Sequence, residues 1–88
     1  MKIKDGFVLE KVGGSYLAVA VGERAKSFSG LIRMNETGAF LFRLVEKEDK
    51  TKEELKDALL REYDVDEMTA AKDVEAFEAK LREGGIIA

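Results

Sequence analysis

Two runs of β-branched, aliphatic and aromatic residues, Phe7-Val8-Leu9-Glu10-Lys11-Val12 and Tyr16-Leu17-Ala18-Val19-Ala20-Val21, flank Gly13-Gly14-Ser15. Runs of that composition around a glycine-containing turn predict a β-hairpin. Gly22 to Ser29 (GERAKSFS) has no period and reads as a loop into a third short strand, Gly30-Leu31-Ile32-Arg33-Met34. Three strands with no helix between them predict an antiparallel sheet. At Asn35 the period changes: Phe40, Leu41, Leu44 and Val45 follow helical spacing, while Ala39 and Phe42 add apolar surface on other sides. A helix that is oily nearly all round belongs at the centre of the fold.

Glu46 to Lys50 (EKEDK) is a charged connector, and Thr51-Lys52-Glu53-Glu54 is a capping box ahead of the stripe Leu55, Leu59, Leu60, Tyr63. In such a box the threonine hydroxyl reaches forward to a free N–H and the glutamate reaches back, starting a second helix of about three turns. Asp64-Val65 breaks the pattern; Asp66 is a good N-cap for a third helix, with Glu67 near its positive end. Its stripe is Ala70, Val74, Phe77 and Leu81, Gly84-Gly85 supplies a left-handed stop, and Ile86-Ile87 can fold back onto the core. The expected architecture is α+β, a three-stranded antiparallel sheet followed by a three-helix bundle in the order β-β-β-α-α-α.

Composition narrows the chemistry. The 88 residues suffice for a single domain, 1–88, and contain neither cysteine nor histidine. Disulfides, thiolate metal sites, a cysteine nucleophile and the commonest general base are therefore excluded, and no metal or flavin site is expected. No apolar run is long enough to span a bilayer, and Met1 to Gly6 lacks the apolar stretch of a signal peptide, so a cytoplasmic protein with no membrane partner is the expectation. Net charge is −3, divided unevenly: residues 1–45 carry 7 Lys/Arg against 4 Asp/Glu, and residues 46–88 carry 8 against 14.

The ordered set of a hydrophobic hairpin, a short strand ending in Asn-Glu-Thr-Gly, a capped Glu-Glu-Leu helix, Tyr-Asp-Val-Asp and an acidic helix ending Leu-Arg-Glu-Gly-Gly resembles the PqqD family, named for pyrroloquinoline quinone synthesis protein D. The resemblance runs from about Phe7 to Ile87. It implies a winged-helix-like domain without catalytic residues, which recognises the leader segment of a ribosomally made precursor peptide and presents it to a modifying enzyme, often of the radical S-adenosylmethionine type. It also implies that the leader adds as a strand beside the third strand, in a groove closed by the third helix. Here those elements are Gly30–Met34 and Asp66–Arg82.

The residues themselves are compatible with that role. An uncovered sheet edge presents N–H and C=O groups that can template another strand, with side-chain pockets adding specificity. If Ile32 and Met34 face the core, alternation turns Leu31 and Arg33 the other way, making those two candidate peptide-binding residues. On the third helix, Lys72, Ala76, Ala79 and Lys80 are the further candidates: small alanines allow close approach, and lysines can meet leader carboxylates. A plain solvated face explains the same four residues equally well. An open edge also allows a homodimer by edge pairing.

Asn35-Glu36-Thr37-Gly38 is the step most easily mistaken for a reactive site. Asn35 is a preferred cap, Glu36 suits the positive helix end, and Thr37 can satisfy a first-turn donor, so capping accounts for all three. Gly38 is costly inside a helix, which points to a close contact, with the sheet as the natural neighbour. Glu53/Glu54 and Asp66/Glu67 read as capping carboxylates rather than acid/base pairs. Gly13-Gly14 lies between two strands and lacks the following helix of a phosphate loop. The alternative function is a winged-helix DNA-binding or transcription-regulating domain. Against it, residues 66–83 carry six acidic groups and three basic ones, and phosphate affinity depends on the basic ones. No nucleic-acid partner is therefore expected.

Overall fold

The computed structural model describes residues 1–27 and 31–87. Its elements, in chain order, are β1 (Phe7–Val12), β2 (Ser15–Ala20), α1 (Arg24–Ser27), β3 (Leu31–Met34), α2 (Glu36–Lys47), α3 (Lys52–Glu62) and α4 (Glu67–Gly84). The three strands form one antiparallel sheet with β2 in the middle. Gly13 has φ 62° at the first position of the two-residue turn, the position a type II′ hairpin reserves for glycine. Val12 then pairs with Ser15, and the register carries through to Tyr16 opposite Met34 and Ala18 opposite Ile32.

The α+β order expected from the sequence is present, with one addition. Within the stretch read as a loop, Arg24–Ser27 closes a single helical turn, α1. The Ala25 N–H donates to the Gly22 carbonyl at 3.1 Å, and the Arg24 Nε donates to the Asp5 carbonyl at 3.0 Å with its guanidinium 5.6 Å from the Phe7 ring centre. Four residues make too short a turn to bury a stripe, so no hydrophobic period betrays it. Gly30, placed in the third strand by its sequence, lies outside the described residues.

All three later helices begin where side-chain caps expect them. Asn35 Oδ1 accepts from the Gly38 N–H at 2.8 Å, the Thr51/Glu54 box is closed in both directions, and Asp66 Oδ1 accepts from the Thr69 N–H at 2.7 Å. Thr37 departs from its expected role: its hydroxyl donates to Asn35 Oδ1 at 3.0 Å, steadying the cap instead of accepting from the backbone. α2 touches all three strands and both α3 and α4, and its Ala39, Leu41, Phe42 and Val45 are buried. That central position is what its many-sided apolar surface requires, since no other placement would keep it dry.

Leu55 and Leu59 of α3 and Ala70, Val74, Phe77 and Leu81 of α4 complete the core. Gly85, at φ 71°, ends α4 in the left-handed conformation, and Ile86 turns back into the core with no exposed surface. The two ends of the chain are stitched together there: Ile3 bridges Ile87, and the Lys4 N–H donates to the Ile86 carbonyl at 2.9 Å. Among the described residues, no helix is long and apolar enough to cross a membrane, and no three His, Cys, Asp or Glu side chains gather as metal ligands.

Candidate functional site

Among the described residues, β3 is an edge strand, paired on one side only, with β2. Along it Met34 is buried and Ile32 half-buried, whereas Leu31 is 58% exposed and Arg33 is exposed, the alternation expected of a one-face strand. Backbone directions follow from the hairpin. A two-residue turn makes Val12 and Ser15 a hydrogen-bonded pair, so Ser15, Leu17 and Val19 address β1, while Tyr16 and Ala18 address Met34 and Ile32 of β3. The N–H and C=O groups of Leu31 and Arg33 are therefore directed away from the sheet, toward α4.

α4 runs beside this edge. The Lys80 Nζ donates to the Arg33 carbonyl at 2.8 Å, joining helix to strand across 47 residues of sequence. Near the far end of the helix a Cβ on Gly84 would overlap Ile32 Cδ1, so glycine there permits the close approach. In the other direction helix and strand diverge, leaving a cavity of about 80 Å³ lined by Met34, Asn35, Thr37, Gly38, Asp73, Ala76, Phe77 and Lys80. Its floor is Met34 and Phe77; its wall is the first turn of α2; its rim carries Asp73 and Lys80. A space of that size takes one side chain of a bound peptide.

Charge around the groove is more favourable to an anion than the acidic helix suggests. Lys52 of α3 holds Glu75 and Glu78 at 3.0 and 2.9 Å, and Lys56 holds Glu53 and Glu67, both at 3.1 Å. Hydrogen bonds from Lys52 keep the Glu78 carboxyl below its ordinary pKa, so the acidic charge on this side of α4 is partly offset within the fold. Among the described residues, neither Arg33 nor Lys80 is in an ion pair. Arg33 and Lys80, on either side of the open strand edge, thus carry charge without an ion-pair partner, with Asp73 as the acidic group on the cavity rim.

Of the six residues singled out from the sequence, Ala76 and Lys80 line the cavity, while Leu31 and Arg33 lie on the adjoining edge strand with their side chains exposed on its outer face. Lys72 and Ala79 are exposed on α4 and do not line the cavity. The helix face that meets the groove is 73, 76, 77 and 80, rotated from the face 72, 76, 79 and 80 chosen by sequence. Met34, Asn35, Thr37, Gly38, Asp73 and Phe77 also line the cavity, beyond the residues to which the sequence points. The Asn35–Gly38 step does cap α2, as expected, yet it also forms one wall of the cavity. The one available signal was Gly38, an unexplained glycine in a first helical turn.

Sheet and helices together define a small α+β domain with an unpaired strand edge beside a helix-walled groove. The chain belongs to the PqqD family: the family model described as coenzyme PQQ synthesis protein D (PqqD) matches residues 11–87. A solved structure described as TbiB1 in complex with the TbiA(beta) leader peptide shares the fold, with a TM-score of 0.71 and 24% sequence identity, covering 98% of this chain and 93% of that one. No curated protein sequence matches the chain.

Proposed function

We propose that this chain is a non-catalytic, cytoplasmic adaptor that binds the leader segment of a ribosomally made precursor peptide as a fourth strand on β3. The core of that precursor is then presented to a peptide-modifying enzyme, often of the radical S-adenosylmethionine type in the family that the chain resembles. The observation that carries this reading is the outward-facing backbone of Leu31 and Arg33 beside the cavity under α4. Strand addition satisfies those groups, and the cavity selects one side chain from the incoming segment. Family membership and the likeness to a protein solved with a leader peptide support the same ligand class.

Titrating isotope-labelled protein with synthetic peptides spanning precursors encoded beside its gene tests the reading. Amide shifts should concentrate at residues 31–38 and along 73–80 of α4, with the β1–β2 turn and α3 unmoved. Saturable binding that shifts other surfaces and leaves Leu31 and Arg33 unchanged would refute it.

A further inference from the structure

An edge strand invites pairing with any extended chain, including a second copy, and proteins commonly blunt such edges with lysine. On β3 the blunting is specific: the Lys80 ammonium closes the outward carbonyl of Arg33 at 2.8 Å. A peptide strand added to this edge needs that same carbonyl for one of its own N–H groups. Lys80 and the docking strand then compete for that carbonyl. The Lys80 side chain is exposed and, among the described residues, has no carboxylate within ion-pair distance, although Asp73 shares the cavity rim with it.

We infer that Lys80 is an exchangeable latch on β3 which selects an acidic peptide: on docking, its ammonium passes from the Arg33 carbonyl to an Asp or Glu side chain of the incoming strand. The inference rests on strand addition as proposed above and adds the chemistry of one recognised residue. A carboxylate is the better acceptor, since it adds the Coulombic attraction of an ion pair to a hydrogen bond that the ammonium already makes charge-assisted. Alternation fixes where that residue lies. In an antiparallel added strand, the residue opposite Arg33 shares the outer sheet face with Arg33 and Leu31. Its two neighbours point to the other face, where α4 stands. The acidic residue is thus one position from the residue whose N–H takes the Arg33 carbonyl, within the sweep of the four-carbon Lys80 stem.

A double-mutant cycle decides the point. The probes are the synthetic leader peptides described above, each paired with a version whose Asp and Glu are replaced by Asn and Gln. The proteins are the full chain and its Lys80→Met variant, which keeps the apolar stem and removes the donors; thermal unfolding checks that the variant is folded. Wild type should bind the amidated peptide about three- to tenfold more weakly than the acidic one, as expected for a partly exposed charge pair. K80M should show little or no such difference, and should bind the neutral peptide at least as well as wild type because the latch is gone. Equal losses in wild type and K80M would overturn the inference. If those equal losses came with amide shifts at Leu31 and Arg33, strand addition would stand and the latch alone would fall. Absence of those shifts on saturable binding, or of binding by any leader peptide, would remove both.

Discussion

Gly38 serves the fold and the groove at once. A Cβ there would sit 3.2 Å from Asn35 Oδ1 and 3.2 Å from Met34 Cβ, tighter than ordinary packing, so both the cap and the end of β3 would have to give. Helix propensity alone says that leucine should stabilise this position by nearly 1 kcal/mol relative to glycine. The contact reverses that sign: Gly38→Leu should lose about 1–3 kcal/mol, the usual range for overpacking, in urea unfolding. An unchanged midpoint would rule out the close contact. The need for a contact was readable in the sequence, because a glycine in a first helical turn demands a reason. That the same residue borders a cavity was not, since the opposite wall comes from Phe77 and Ala76, some 40 positions further along the chain.

Helices α3 and α4 depend on carboxylates at their starts. Backbone N–H groups donate to Glu54 and Asp66 and hold both carboxyls below their ordinary pKa values; Lys52 does the same for Glu78, and the N-terminal ammonium for Asp49. Each group has a folded pKa below its unfolded one, so its contribution is present above the unfolded value, near pH 4, and lost as pH falls through the folded value. Urea midpoints should therefore be flat from about pH 7 to 5 and fall steadily below about 4. Asp66→Asn, which caps without titrating, should shrink that fall, whereas an unchanged acid profile would show the Asp66 cap to be irrelevant. These starts were legible because capping is local and written within four residues. α1 was not, being held by Asp5 and Phe7 from outside its own sequence. The groove face of α4 was only half legible: Ala70, Val74, Phe77 and Leu81 mark the buried stripe, but which flank meets β3 is set by packing that includes Gly84 against Ile32.

At the level of the molecule, the three helices press the sheet from one side, and among the described residues its outer strands, β1 and β3, each pair on one side only. α2 occupies the centre, α3 partly offsets the acidic flank of α4, and α4 faces the open strand with Lys80 across the gap. Part of the acidity of the C-terminal half is thus held by Lys52 and Lys56 of α3. A DNA-reading helix would need a basic exposed face, whereas residues 66–83 carry six acidic groups against three basic ones. The most direct measurement is amide hydrogen exchange along β3 with and without a bound leader peptide. In the free chain Ile32 and Met34 should be protected by β2, while the outward Leu31 and Arg33 amides exchange quickly. With peptide bound, Leu31 and Arg33 should slow by about tenfold or more as their N–H groups enter a ladder. Unchanged exchange at both positions under saturating peptide would contradict strand addition.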